Sequence, residues 1–254
     1  MTAVFAHRGC TEGFVENTLE AFAEARRRGA DGVELDVRLT ADGALAVHHD
    51  AEVPGAGPVS SLRVADLPAH VPLLGDVLAV CDGMVVNVEI KNAPEDPGFD
   101  PSEAVAGLTA AVIEEEGWSG RVLVSSFQVA TLRAVQAADG RLALGALWGF
   151  GDDPGGALRE AADTGIGAVH PFVSVVTPEL VAEAHALGLA VNVWTVNAPR
   201  DLQAMVALGV DTVITDRLTD AMAAARAPGR APGEGRVVPS ELDRPPGFPA
   251  ATRP

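Results

Sequence analysis

Tyrosine is absent from this 254-residue chain, aromatic residues make up only 4% of it, and of its 18 Lys and Arg residues only Lys91 is lysine. The arginine and alanine bias reads as the codon usage of a GC-rich genome, so position carries more information than rarity does. Cysteine occurs twice, as Cys10 and Cys81, with neither a disulfide framework nor a metal-ligand spacing. Two reduced, buried thiols in a cytosolic protein are the expectation. No run approaches the ~18 consecutive apolar residues of a spanning helix. "MTAVFAHRGC" also lacks the basic leader of a signal peptide. A cytoplasmic location with no integral membrane segment is expected. Basic charge is scarce too: the formal net charge of −17 argues against nucleic acid or an anionic membrane as partner, since such interfaces need basic stripes.

What is present alternates. β-Branched runs at 4–9, 32–39, 84–91, 121–127, 143–149, 168–172, 190–196 and 212–216 are separated by segments with helical periodicity. The first of these is "ENTLEAFAEARRRG" from Glu16; several open on Ser, Thr, Asp or Pro and close on Gly. Strands alternating with helices over some 225 residues predict an α/β fold, a closed (β/α)8 TIM barrel of the usual ~250-residue size. "ADG" at 41–43 turns into "ALAVHHD", a hairpin extension of the second strand, and the Gly- and Pro-rich "VPGAGPVSSL" then forms a short loop. Residues 1–226 read as the barrel domain. From Ala227 the Pro/Gly-rich composition reads as a flexible tail.

In such a barrel the chemistry sits at the C-terminal strand ends. The polar residues expected there are His7 and Arg8, Glu34 and Asp36, His48, His49 and Asp50, and Glu89 and Lys91. Ser125, Ser126, Trp194, Asn197 and Asp216 complete the set. Alternation places Glu34 and Asp36 on one face of their strand, and Glu89 and Lys91 on one face of theirs. Two carboxylates ~4 Å apart repel by about 4 kcal/mol at an effective dielectric of ~20, so a converging trio needs a cation or shifted pKa values. Oxygen-only ligands favour one hard ion, Mg²⁺ or Ca²⁺, over zinc. His7 and His49, beside this cluster, suit a general acid–base pair. His48 should face away from His49. The proline after His170 predicts a turn and a structural role, and His70 and His185 read as loop and helix-surface residues. Trp194 suits a wall for an apolar or glycerol moiety. A compact ammonium at Lys91 suits a single anionic oxygen better than arginine's planar fork.

In order, "AHRG", "ENT", "GADGVELD", "TADG" and "HHD", then "VEIK", "SSF", "VWTVN" and "GVDTVITD", resemble the glycerophosphodiester phosphodiesterase family over about residues 3 to 220. The resemblance implies a TIM barrel hydrolysing glycerophosphodiesters to glycerol 3-phosphate and an alcohol. It implies Glu34, Asp36 and Glu89 as ligands of a divalent metal, His7 and His49 as the acid–base pair, and Arg8 and Lys91 on the phosphodiester oxygens. It further implies attack by the substrate's own 2-hydroxyl through a cyclic phosphate. "AEVPGAGPV" replaces the leucine, arginine and threonines that follow "HD" in many members, and Leu218 stands where proline is common. A phospholipase D-type lipid phosphodiesterase would need exposed apolar or basic loops. A non-catalytic phosphate-binding barrel would tolerate decay of the site. The acidity, the short loop and the intact His7, His49 and Lys91 rank both below.

Overall fold

The structure, a computed structural model, describes residues 1–149 and 153–226. The tail expected from Ala227 lies outside the described residues. The chain opens with β1 (Ala3–His7), α1 (Leu19–Arg28) and β2 (Gly32–Leu39). An excursion follows: β3 (Leu45–Val47), the two-residue strands β4 (Glu52–Val53) and β5 (Gly57–Pro58), and α2 (Leu74–Val80). Regular alternation then resumes with β6 (Val85–Ile90), α3 (Ala104–Glu115), β7 (Val122–Ser126) and α4 (Val129–Ala138). It continues through β8 (Ala143–Trp148), α5 (Pro154–Thr164), β9 (Ala168–Pro171) and α6 (Pro178–Ala186). The final elements are β10 (Ala190–Val193), α7 (Pro199–Leu208), β11 (Thr212–Thr215) and α8 (Leu218–Ala225).

β1 pairs in parallel with both β2 and β11, which closes the sheet into the expected (β/α)8 barrel, with β3 antiparallel on the far part of β2. Valine-rich strands buried on both faces fit a parallel sheet wrapped by helices. Their outward residues, such as Val4, Val33, Leu35, Val86 and Val124, form the main core with helix residues such as Phe22, Leu78, Ile113 and Leu132. Inside the barrel, Phe5, Val85, Leu123, Ala168 and Ile214 make an apolar floor. The ring of Phe5 fills the space over Gly32, where a Cβ would lie 2.6 Å away. Above that floor the inward residues become polar: Asn87, Ser125, His170 and Asn192 are all buried.

Three local expectations need correction. The first helix begins at Leu19 instead of Glu16, because Thr18 caps it through Ala21 N and Asn17 takes a left-handed φ of 54°. His170 lies in β9, within the strand expected at 168–172, but the turn expected from its proline does not form: Pro171 ends the same strand, and Nε2 of the buried His170 lies 3.0 Å from Asn192 Nδ2. The loop after "HHD" contains the β4–β5 hairpin and short 3-10 turns at Val59–Ser61 and Val64–Asp66. The helix α2 was not anticipated at all. It has seven residues and no side-chain cap, so its sequence reads as a short buried apolar run.

Away from the mouth, His185 on α6 hydrogen-bonds Asp211 Oδ2 at 2.8 Å, which raises its pKa against the opposing effect of burial. A raised folded-state pKa adds stability below the unfolded value of ~6.5, and that contribution disappears as pH rises through the folded value. His185→Gln is therefore expected to destabilise more at pH 5.5 than at pH 8.5. Urea unfolding at the two pH values checks this, and an equal cost at both would contradict it.

Candidate active site

The mouth of the barrel is built by register. Asp36 on β2 pairs with Glu89 on β6, and His7 on β1 pairs with Glu34. Alternation turns all four side chains inward, as the spacing predicted for the three carboxylates. Glu34, Asp36 and Glu89 each offer an oxygen within 4.8 Å of the others. They are only 3%, 1% and 7% exposed, so their charge cannot be dissipated into solvent.

The cations around them are unevenly placed. Lys91 Nζ lies 3.2 Å from Asp36 Oδ1 and 2.5 Å from Glu89 Oε1, while Arg8 Nε lies 3.4 Å from Asp36 Oδ2. Asn17 Nδ2 donates to Asp36 Oδ2 at 2.9 Å. Burial alone would raise the Asp36 pKa, but Lys91, Arg8, His49 and the Asn17 hydrogen bond together hold it below the ordinary value. Glu34 is escorted more weakly, by His7 Nε2 at 3.9 Å. Burial, and then the charge of Asp36, push it up to about 8. Glu89 is also raised, by burial first and against the pull of Lys91. For Lys91 burial works downward, yet the carboxylates of Glu89 and Asp36 outweigh it and raise the pKa.

The loop after β1 is shaped for this site. Arg8 takes a left-handed φ of 54° and Gly9 follows at 83°. A Cβ on Gly9 would lie 2.8 Å from Ala21 Cβ, so the position needs glycine on both counts. The turn aims the Arg8 amide at Glu34 Oε2, 3.1 Å away, while its guanidinium reaches Glu16 Oε1 at 2.9 Å. Strain in a non-glycine residue at a ligand-facing turn is a common mark of a functional site.

The two histidines sit in different surroundings. His7 Nδ1 lies 2.7 Å from Asp216 Oδ1, at the end of β11, and its Nε2 lies 3.9 Å from Glu34 Oε2. Asn197 braces Asp216 from two sides, accepting from its amide at 2.9 Å and donating to Oδ2 at 2.7 Å. Burial works to lower the His7 pKa, but the Asp216 hydrogen bond and the nearby carboxylates carry it above the ordinary value. His49 Nδ1 contacts Asp50 Oδ1 at 2.8 Å. Burial, with Lys91 and Arg8 adding to it, keeps His49 below the ordinary value despite Asp36. His48 contacts the carbonyl of Asp50 at 2.9 Å.

Trp194 follows β10 at the mouth. Its Nε1 donates to the carbonyl of His170 at 2.7 Å. Phe172 and Phe127 meet its ring edge-on, with centroids 5.2 Å and 5.6 Å away. Lys91 Nζ lies 5.9 Å from the Phe127 centroid. The result is an aromatic wall beside the charged cluster.

A divalent cation fits this donor set. Glu89 Oε1 is buried and meets the Lys91 ammonium at 2.5 Å. Together with Glu34 and Asp36 it gives an all-oxygen, three-carboxylate donor set, which suits a hard ion.

Four contributors went unassigned from sequence. Asp216 and Asn197 stood among the strand-end polar residues without roles, although closure of a barrel brings the end of the last strand beside the first. Asn17 sits in the "ENT" segment, read there as helix. Arg38, buried one inward rung beyond Asp36 on β2, is marked by the same alternation that places Glu34 and Asp36.

Comparison with known proteins gives concordant matches. A model of the glycerophosphoryl diester phosphodiesterase family matches residues 7–220. A glycerophosphodiester phosphodiesterase of Caldanaerobacter subterraneus subsp. tengcongensis is 33% identical over 237 residues, covering 85% of this chain and 94% of the relative. One from Bacillus altitudinis is 32% identical over 241 residues, covering 85% and 95%. The crystal structure of a glycerophosphodiester phosphodiesterase from Parabacteroides distasonis has a TM-score of 0.76 at 26% identity, over 87% of this chain and 95% of that one.

Proposed function

Because this chain belongs to the glycerophosphoryl diester phosphodiesterase family, and is a phosphoric diester hydrolase of that class, we propose that it acts by a metal-dependent, two-histidine mechanism. Its substrates are small glycerophosphodiesters, and its products are glycerol 3-phosphate and an alcohol. The observation that carries this reading is the buried trio Glu34, Asp36 and Glu89, flanked by His7 with its Asp216 partner, His49 and Lys91.

Glu34, Asp36 and Glu89 hold the divalent cation, Mg²⁺ or Ca²⁺, which when bound supplies charge stabilisation to the phosphoryl oxygens. Lys91 and Arg8 bind and orient the anionic phosphodiester, and Trp194 packs against the glycerol carbons. In the first step the substrate 2-hydroxyl attacks phosphorus. The new O2–P bond forms as the P–O bond to the alcohol breaks. One imidazole takes the hydroxyl proton and the other gives a proton to the departing alkoxide. In the second step water opens the cyclic phosphate. A P–O bond to water forms, the O2–P bond breaks, and the proton transfers run in reverse. Asp216, held by Asn197, fixes the His7 ring so that Nε2 faces the cluster.

The barrel of residues 1–226 suffices for this chemistry in our reading. A cytoplasmic location belongs to the same proposal, supported by two buried, free thiols at Cys10 and Cys81. Among the described residues no helix is long and apolar enough to cross a membrane.

Release of glycerol 3-phosphate from glycerophosphocholine and related diesters, coupled to a dehydrogenase, tests the proposal. Turnover is expected to vanish in EDTA and to return with Mg²⁺, Ca²⁺ or Mn²⁺. Unchanged turnover in EDTA would remove the metal from the mechanism. Saturable binding without turnover across the panel would favour a non-catalytic barrel, and preference for lysophospholipids a phospholipase D-type activity.

A further inference from the structure

Arg38 stands one inward rung beyond Asp36 on β2 and is buried, at 8% exposure. Its Nε donates to the backbone carbonyl of His49 at 2.8 Å, and its Nη1 donates to Asp96 Oδ2, also at 2.8 Å. These two acceptors belong to different segments. His49 lies between β3 and β4 in the excursion, and Asp96 lies in the loop that leaves Lys91 for α3. The same segments meet again at Gly98, whose φ is +88° and where a Cβ would lie 2.4 Å from Ser60 Cβ. The loop after Lys91 is pinned at its other end. Asn92 Nδ2 donates to the Asp100 carbonyl at 2.9 Å and to Glu103 Oε2 at 3.0 Å, and Thr131 Oγ1 donates to the same Glu103 oxygen at 2.9 Å. Between the two segments only a cavity of about 10 Å³ remains, bounded by Arg38, Lys91, Asn92, Ser60 and Gly98 among others. That is room for roughly one water.

We propose that Arg38 is a positioning residue for His49: anchored by Asp96, its guanidinium fixes the His49 backbone and joins the His49 and Lys91 segments into one unit. The inference rests on the reading of His49 as a proton-transfer group. Physically it follows from the fork geometry of arginine, whose separate Nε and Nη1 donors reach two acceptors on different segments, where a lysine would have to bring a single nitrogen within reach of both. A buried carbonyl left without its donor would relax toward other partners or solvent, and the ring would move with it. Displacement of a reacting group by ~1 Å can cost ~100-fold in rate.

Arg38→Met is expected to lower kcat roughly 10- to 100-fold, with KM and divalent-cation affinity held within about twofold. Asp96→Asn should lower kcat in the same direction by a smaller factor, because Arg38 then loses its anchor but keeps its donor. Arg38→Lys should recover only part of the loss. The decisive measurement places Arg38→Met in a His49→Ala background. If Arg38 acts through His49, the double variant turns over within about twofold of His49→Ala alone. A further loss equal to that of the single variant would overturn the proposal, as would Arg38→Met turning over like the wild type. Should Arg38→Met not fold, Arg38→Lys and Asp96→Asn in the same two backgrounds give the same comparison. His49→Ala by itself examines the underlying reading: wild-type turnover there would sink that reading, whatever Arg38 does.

Discussion

Replacing His49 by alanine is expected to lower kcat by roughly 10²- to 10⁴-fold while leaving divalent-cation affinity within about twofold. The division of roles follows from where the ring sits. His49 is not one of the three residues that bring oxygens within 4.8 Å of one another. Its Nδ1 is engaged by Asp50, which leaves Nε2 for substrate. Burial and the cations Lys91 and Arg8 keep its pKa below the ordinary histidine value, so near neutral pH the ring is largely free base. In the proposed mechanism, removing it deletes a proton-transfer group and leaves the carboxylates in place. Calorimetric titration with Mg²⁺ or Ca²⁺ beside steady-state assays separates the two effects. A large loss of cation affinity with kcat intact would assign His49 to the metal site.

Replacing Lys91 by methionine is expected to destabilise the cation-free protein by about 3–5 kcal/mol, the usual cost of leaving a buried charge without its partner. Lys91 contacts both Asp36 and Glu89; without it Asp36 keeps Arg8 and Asn17, while Glu89 loses the cation it touches. Bound cation takes over that neutralising role, so Mg²⁺ or Ca²⁺ should stabilise the variant more than the wild type. Urea unfolding in EDTA and in saturating cation measures both differences. A variant within about 1 kcal/mol of wild type in EDTA would show that the carboxylates are neutralised without Lys91. Lys91→Arg retains the charge and should recover most of the stability. Its turnover should stay low, because a planar fork replaces a compact ammonium in a space bounded by Asp36, Glu89 and Phe127.

Alternation made much of this legible. Glu34, Asp36, Glu89 and Lys91 could be placed on common faces because strand side chains repeat every second residue, and barrel closure then decides which faces meet. The same periodicity hid α2, whose seven residues carry too little helical pattern to outweigh their apolarity. Asn17 escaped because the helical pattern of its segment begins before the chain becomes helical, and only the cap at Thr18 marks the boundary. Asp216 and Arg38 needed partners remote in sequence. The His7–Asp216 contact spans 209 positions and the Arg38–Asp96 contact 58, and no local pattern encodes such pairings. His170 lies in the strand expected at 168–172, and only the turn expected from the following proline fails, because Pro171 ends β9, where a missing amide hydrogen leaves no ladder bond unmade.

The single lysine has a practical corollary. A protease specific for lysine finds one bond to cut in this chain, Lys91–Asn92. That bond is guarded on both sides. The Lys91 amide donates to the Val37 carbonyl at 3.1 Å, its ammonium is held by Asp36 and Glu89, and the Asn92 side chain is tied to Asp100 and Glu103. Cleavage therefore requires the mouth of the barrel to come apart, and its rate at low protease concentration reports the free energy of that opening. The C-terminal segment contains no lysine and adds no background. Cutting at one residue thus becomes a clock for the integrity of the barrel mouth, readable on a gel in the presence of any candidate ligand.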